Sequence, residues 1–324
     1  LAETTGRIDA PYGERIDHDA MDAVVEDVIK TMDQMDARRS QLQACEVGGI
    51  QRQAGCDVVV RYLSQVIRTL SPMQVYAQTL LAFKLIAADE RVVGLNFVAP
   101  EDHLVALKDY RQHMNFIAEI GGYYPEQRRG IALHAGELSL GLVPTEHLGW
   151  HIREAISVAE AKRIGHGIDI SYDEDMTQLL KRMAAQGIMV EINLTSNDVI
   201  LQVEGAEHPL PTYLSYGVPV ALSTDDEGVS RIDLTHEYQR AATTFDLSYE
   251  VLRGFSRNSL QYSFLPGEGL FDDAYAGVPV SACRADVLGA EEVSRQCAKA
   301  LKGSVKASLQ WDLERRLRAF EDEF

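Results

Sequence analysis

Positive charge is scarce in this chain. Its 324 residues carry 31 lysines and arginines against 49 aspartates and glutamates, for a net charge of −18. A surface of that sign repels a phosphate backbone or an anionic bilayer, so nucleic acid and membrane surfaces are poor partners and a compact neutral or cationic small molecule is a better one. No apolar run approaches the roughly 20 residues that a membrane span needs. Cysteine is sparse too. Cys45, Cys56, Cys283 and Cys297 show neither C-x-x-C nor another metal spacing. They read as ordinary thiols, with a Cys45–Cys56 disulfide as the lesser alternative. The compartment stays open between the cytoplasm and an exported location. No low-complexity segment or charged tail divides the chain. It begins at Leu1, without methionine or a charged-then-apolar leader. That reads as a processed or truncated chain whose targeting segment is out of view.

What is present is ordinary for a soluble enzyme: 46% hydrophobic and 25% charged residues, in a length that suits one large α/β domain or two smaller ones. Met21, Val24, Val25, Val28, Met32 and Met35 recur at helical spacing, with Asp17 and Asp19 available as caps. Ser71-Pro72 opens a second helix, with Gln74 placed for a capping box. That helix feeds an apolar strand from Val92 to Phe97. Farther on, apolar strands end near His134, His166, Thr195 and Asp225, about 30 residues apart, with helical stretches between them. Gly187 and Gly217 stand where helices should stop.

Strands alternating with helices at this pitch indicate parallel βα units. Each strand is apolar along its body and polar at its C-terminal end, the face on which a (β/α)8 barrel carries its active site. A doubly wound sheet should instead show a glycine-rich phosphate loop, and Ser139-Leu140-Gly141-Leu142 is not one. The expectation is a single α/β domain over residues 1–324, a (β/α)8 TIM-type barrel. Residues 1–56 should be mainly helix and loop, 57–266 the barrel strands and helices, and 267–324 helical. About six strands are countable, the earliest from Asp57 to Tyr62, so two barrel strands are expected upstream of Leu1. The amphipathic stretch from Val305 to Phe320 suits a helix packed on the barrel, and it also suits a homo-oligomer interface.

Three strand ends carry chemistry. His134-Ala135-Gly136-Glu137 offers an imidazole for a metal and a carboxylate three residues on; alone, such a pair is more often a structural histidine and a capping glutamate. Ile164-Gly165-His166-Gly167 sets a histidine between two glycines. Ser223-Thr224-Asp225-Asp226 puts two carboxylates at the end of a buried strand, which is unfavourable unless they meet a cation or hydrogen-bond donors. Together they place two histidines and three carboxylates around one barrel rim, where coincidence is a poor explanation. His18, His103, His113, His147, His151, His208 and His236 read as surface or structural residues.

With these motifs the sequence resembles the adenosine deaminase family from about Asp57 to Pro266. The likeness is most specific in His134-Ala-Gly-Glu137, Arg163-Ile-Gly-His-Gly167, Thr195-Ser-Asn197 and Ser223-Thr-Asp-Asp226. Gly94 to Asp102 and Arg257 to Pro266 add weaker support, and the Glu101-Asp102 ending is similar to the growth-factor-like branch of deaminases and its bacterial relatives. The resemblance implies one zinc ion per chain with His134 and Asp225 as ligands. It makes Glu137 the proton-transfer group, His166 the partner of the water that zinc activates, and Asp226 a hydrogen-bonding group for the purine. Ala99 stands where the family usually has a glycine whose backbone N–H meets the base, and Glu227 replaces a usual proline. The family's zinc-binding His-x-His is absent from all 324 residues. Two further histidine ligands are therefore expected upstream of Leu1, and a chain limited to these residues should hold zinc weakly.

The implied reaction is hydrolytic deamination of adenosine, and of deoxyadenosine if the ribose pocket accepts it, to inosine and ammonia. Glu137 would need to be protonated with substrate bound, as a buried carboxylate favours. Alternatives are a deaminase of another aminopurine or of a nucleotide, for which Arg231 is the only arginine near the aspartate pair, or a metal-free nucleoside-binding homologue.

Overall fold

The computed structural model of the chain describes residues 11–46 and 53–323. Of the helix and loop expected over residues 1–56, the parts at 1–10 and 47–52 lie outside the described residues. Two compact units divide the chain, Leu1–Ile131 and Ala132–Phe324.

In the first unit, helix α1 (His18–Leu42) starts where the capping pattern places it, the Asp17 carboxylate accepting from Ala20 N at 3.0 Å. Strand β1 (Tyr62–Ile67), helix α2 (Pro72–Ala88), strand β2 (Val92–Val98) and helix α3 (Leu104–Tyr123) follow. Val25 and Met32 of α1 are buried in one cluster with Leu85 of α2 and Val92 of β2. Arg91 pairs with Asp33 and Asp36 of α1 at 2.7 and 2.9 Å. The capping box of α2 forms, Gln74 Oε1 accepting from Ser71 N at 3.2 Å. The earliest strand lies later than the stretch Asp57 to Tyr62. Ala54–Asp57 is a 3-10 turn, and Val58 and Val59 are 58% and 44% exposed. An apolar run supplies strand propensity, but the ladder partner decides. The ladder to β2 runs from Leu63–Gly94 to Ile67–Val98.

The second unit contains β3 (Ala132–Ala135), α4 (His151–Ser157), β4 (Arg163–His166), α5 (Met176–Gln186), β5 (Met189–Ile192), α6 (Leu194–Leu201), α7 (Leu210–Ser215), β6 (Val220–Leu222), α8 (Glu227–Ser230), α9 (Leu234–Phe245) and α10 (Tyr249–Gln261). Strands β3 to β6 form one parallel sheet in sequence order. In the first unit β1 and β2 also pair in parallel, so six strands among the described residues have a parallel partner, the number read from the sequence. Gly187 ends α5 at φ +62° as expected. β5 stops at Ile192, three residues before Thr195, which falls in the first turn of α6.

A short antiparallel pair, β7 (Phe271–Asp273) and β8 (Val278–Pro279), precedes α11 (Arg295–Lys302) and α12 (Val305–Glu321). Ala307 and Trp311 of α12 are buried with Leu270, Phe271, Ala274, Cys283 and Cys297. The Val305 to Phe320 stretch is thus a packed helix. No helix among the described residues is long and apolar enough to cross a membrane.

All four cysteines are bridged, which overturns the reading of them as thiols. Cys45 and Cys56 have Cα atoms 5.4 Å apart, Cys283 and Cys297 4.6 Å apart. Both spacings lie in the range a disulfide spans, a property of tertiary proximity that residue spacing does not reveal. Cross-linking a loop of about 15 residues stabilises a fold by about 3 kcal/mol.

At the end of β2, Ala99 adopts φ +78°. Its carbonyl accepts from Arg68 Nε at 2.8 Å, and the buried Arg68 lies 4.0 Å from the buried Glu101. A left-handed backbone is unfavourable by about 1–2 kcal/mol for a residue with a Cβ, more than the roughly 0.5–1 kcal/mol of extra chain entropy that glycine loses on folding. Ala99→Gly should therefore raise the urea-unfolding free energy by about 0.5–1 kcal/mol. A loss of similar size would mean the backbone there is relaxed.

Candidate active site

The site is built at the C-terminal ends of β3, β4 and β6, all within the second unit. Paired residues of neighbouring parallel strands point to the same face and successive residues to opposite faces. His134 pairs with Gly165, and Ala135 with His166. In regular strands the two histidines would therefore point apart. His166 instead adopts φ +70°, and its ring centroid lies 5.1 Å from that of His134. Asp225 reaches the same place from three residues beyond β6, also left-handed at φ +52°. Backbone strain of this kind in residues with side chains is a mark of functional sites.

Glu137 is brought in by the turn after β3. Gly136 has φ +76°, and a Cβ there would lie 2.5 Å from Asp169 Oδ1 and 2.8 Å from Ile152 Cδ1. The Gly136 carbonyl accepts from Ile168 N and Asp169 N at 2.8 and 3.1 Å, joining the turn after β3 to the turn after β4. Asp169, fully buried, accepts from Gly149 N at 2.8 Å.

One ligand atom each from His134, His166 and Asp225 lies within 4.8 Å of the others. His166 Nε2 is 3.6 Å from Glu137 Oε1 and 3.9 Å from Asp225 Oδ2. Imidazole nitrogen and carboxylate oxygen are zinc donors with bonds of about 2.0–2.2 Å, so one shell spans roughly 4 Å. His134 and Asp225 carry donors of this kind at a spacing that suits a zinc ion, with His166 beside them.

The three residues of the Thr195-Ser-Asn197 motif form the wall behind these groups, a role residue spacing did not reveal. Thr195 donates from its hydroxyl to buried Glu237 of α9, which also accepts from Leu194 N and Thr195 N at 2.8 and 3.2 Å. A carboxylate is favourable there, where the first turn of α6 leaves N–H groups without helical partners. Ser196 Oγ donates to Asp225 Oδ2 at 2.8 Å, and Asn197 Nδ2 donates to His166 Nδ1 at 2.9 Å. Asn193 Nδ2 lies 3.4 Å from both ring nitrogens of His166. His208, set aside as structural, is buried in contact with Asn197.

Asp226 is exposed, its carbonyl accepting from Val229 N and Ser230 N at 2.9 Å. Only one carboxylate of the pair is therefore half-buried, and the desolvation expected of both applies to Asp225 alone. Ala99 belongs to the first unit.

A model of the adenosine deaminase family matches residues 14–270. The chain belongs to the adenosine deaminase family. An adenosine deaminase of Escherichia coli is 38% identical over 177 residues, which are 53% of this chain and 50% of that protein. An adenosine deaminase of Shigella boydii is 36% identical over 160 residues, 49% of this chain and 43% of that protein. The chain thus spans about half the length of the curated family members it matches. A zinc-bound amidohydrolase from Burkholderia ambifaria shares the fold with a TM-score of 0.50 at 18% identity, covering 69% of this chain and 56% of that one. The fold class is α/β of the (β/α)8 type, and among the described residues the sheet of β3 to β6 does not close.

Gly136→Ala adds left-handed strain of about 1–2 kcal/mol and overpacking of about 1–3 kcal/mol. Urea unfolding should show a loss of about 2–5 kcal/mol. A change under about 0.5 kcal/mol would show that the turn carrying Glu137 is not held as described.

Proposed function

We propose that this deaminase-family chain carries the catalytic face of a zinc-dependent enzyme that hydrolyses adenosine to inosine and ammonia. The observation that supports it most is the convergence of His134, His166 and Asp225 within 4.8 Å, with Glu137 Oε1 3.6 Å from His166. On this reading His134 and Asp225 are two ligands of one zinc ion. The family's His-x-His pair, which would complete the zinc site, is not among these residues. Bound zinc would supply a Lewis acid that lowers the pKa of water from about 15.7 to about 7.

The chain's own groups account for the proton movements. Water adds to the ring carbon that bears the amine, forming a C–O bond. Glu137, only 9% exposed, gives a proton to the adjacent ring nitrogen, so negative charge does not accumulate on the purine. It then takes up the proton released by the added water and passes it to the amine. The C–N bond breaks, ammonia leaves, and the remaining hydroxyl proton returns to Glu137 as the carbonyl of inosine forms. His166 lies beside Glu137, where it hydrogen-bonds the attacking water. Asp226, exposed next to Asp225, would take the opposite edge of the base.

General acid–base help is worth about 10²–10⁴-fold. Glu137→Gln should therefore lower ammonia release from adenosine by at least about 100-fold with zinc content unchanged. Near-normal turnover would remove Glu137 from this role. Comparing adenosine with deoxyadenosine, adenine and adenosine monophosphate checks the substrate: a clear preference for the monophosphate or the free base would replace adenosine.

A further inference from the structure

The walls of the site contain a chain of hydrogen bonds whose direction cannot be reversed. It starts at a backbone amide: Leu210 N donates to His208 Nδ1 at 3.1 Å. A backbone N–H only donates, so Nδ1 of His208 is an acceptor and the ring's single proton sits on Nε2. That nitrogen lies 3.1 Å from Asn197 Oδ1, which accepts from it. The asparagine amide is thereby fixed with its NH₂ on the other side, where Nδ2 lies 2.9 Å from His166 Nδ1. A rotated amide would set N–H against N–H at His208 and oxygen against a ring nitrogen lone pair at His166.

His208, Asn197 and His166 are all buried, at 3%, 0% and 0% exposure, so water does not compete for these positions. Burial, and secondarily the charge of Arg240, lowers the His208 pKa from 6.5 to about 4, so the ring is neutral as its acceptor role requires. The far side of His166 agrees. Its Nε2 faces Glu137 Oε1 at 3.6 Å and Asp225 Oδ2 at 3.9 Å, two carboxylate oxygens that attract an N–H and repel a lone pair. Asn193 Nδ2, at 3.4 Å from both ring nitrogens, favours neither.

We infer that His208 and Asn197 are positioning residues that hold His166 as the Nε2–H tautomer, so that it enters the reaction as a hydrogen-bond donor and not as a metal ligand or a base at Nε2. The tautomer follows from the hydrogen-bond chain alone. Its use in orienting the attacking water rests on the function proposed above. A donor at Nε2 would hold the water by its oxygen, directing it at the ring carbon and stabilising negative charge that develops on that oxygen. Glu137 is then left as the group that moves protons.

The experiment is long-range ¹H–¹⁵N correlation of the histidine rings in the intact protein labelled with ¹⁵N-histidine, with His166 assigned from the spectrum of His166→Gln. The wild type should show His166 protonated at Nε2 and bare at Nδ1; a proton on Nδ1 overturns the inference whatever the variants do. Asn197→Asp presents an acceptor on both sides and should move the His166 proton to Nδ1. His208→Phe releases the amide and should leave His166 divided between tautomers. An unchanged His166 signal in both folded variants overturns the role of the chain. In the active protein, Asn197→Asp should lower kcat by about 100-fold or more, as a wrong tautomer does in other histidine-dependent enzymes, with KM within about threefold. Equal effects on both would mark Asn197 as merely structural. The spectrum separates this inference from the deaminase reading. An inactive protein with the Nε2–H tautomer sinks the activity and spares the chain of bonds; an active one with Nδ1–H does the reverse.

Discussion

Adjacent strand residues point to opposite faces, and His134 and His166 stand one step out of register on neighbouring strands. Regular β geometry would place their rings on opposite sides of the sheet. The left-handed backbone at His166 removes that conflict and sets the rings 5.1 Å apart. Everything chemical in the second unit depends on this departure, because it turns separate strand-end residues into one cluster. The same solution recurs at Asp225, φ +52°. Backbone in this region is unfavourable for side-chain-bearing residues by about 1–3 kcal/mol each, so neighbouring contacts must over-determine it.

Those contacts are polar and mostly buried. Ser196 holds the Asp225 carboxylate and Asn197 the His166 ring, while Glu237 secures the first turn of α6 from which both project. The Gly136 carbonyl joins the turns that follow β3 and β4. A buried network with directional partners keeps a single geometry in which imidazole and carboxylate groups face one another.

Much of this was legible in the residues. Apolar strands with polar C-terminal ends announced parallel βα units, and His134, Glu137, His166 and Asp225 stood out because histidine and carboxylate at the end of a buried strand require a partner. What the pattern could not carry was set by tertiary geometry. The first strand is decided by its ladder to β2, not by the valines at positions 58–60. The cysteine pairs depend on where chain segments meet. Thr195-Ser-Asn197 read as a strand end, yet its position in the first turn of α6 is what aims three side chains at three different partners. His208 was indistinguishable from other loop histidines, since only the structure shows its backbone donor on one side and Asn197 on the other.

The proposal that these groups surround a metal is most directly examined by anomalous diffraction at the zinc edge from crystals grown with zinc. A peak about 2.0–2.2 Å from a His134 ring nitrogen and from an Asp225 carboxylate oxygen is predicted. Zinc bound elsewhere, with those two side chains ordered and empty between them, would contradict it.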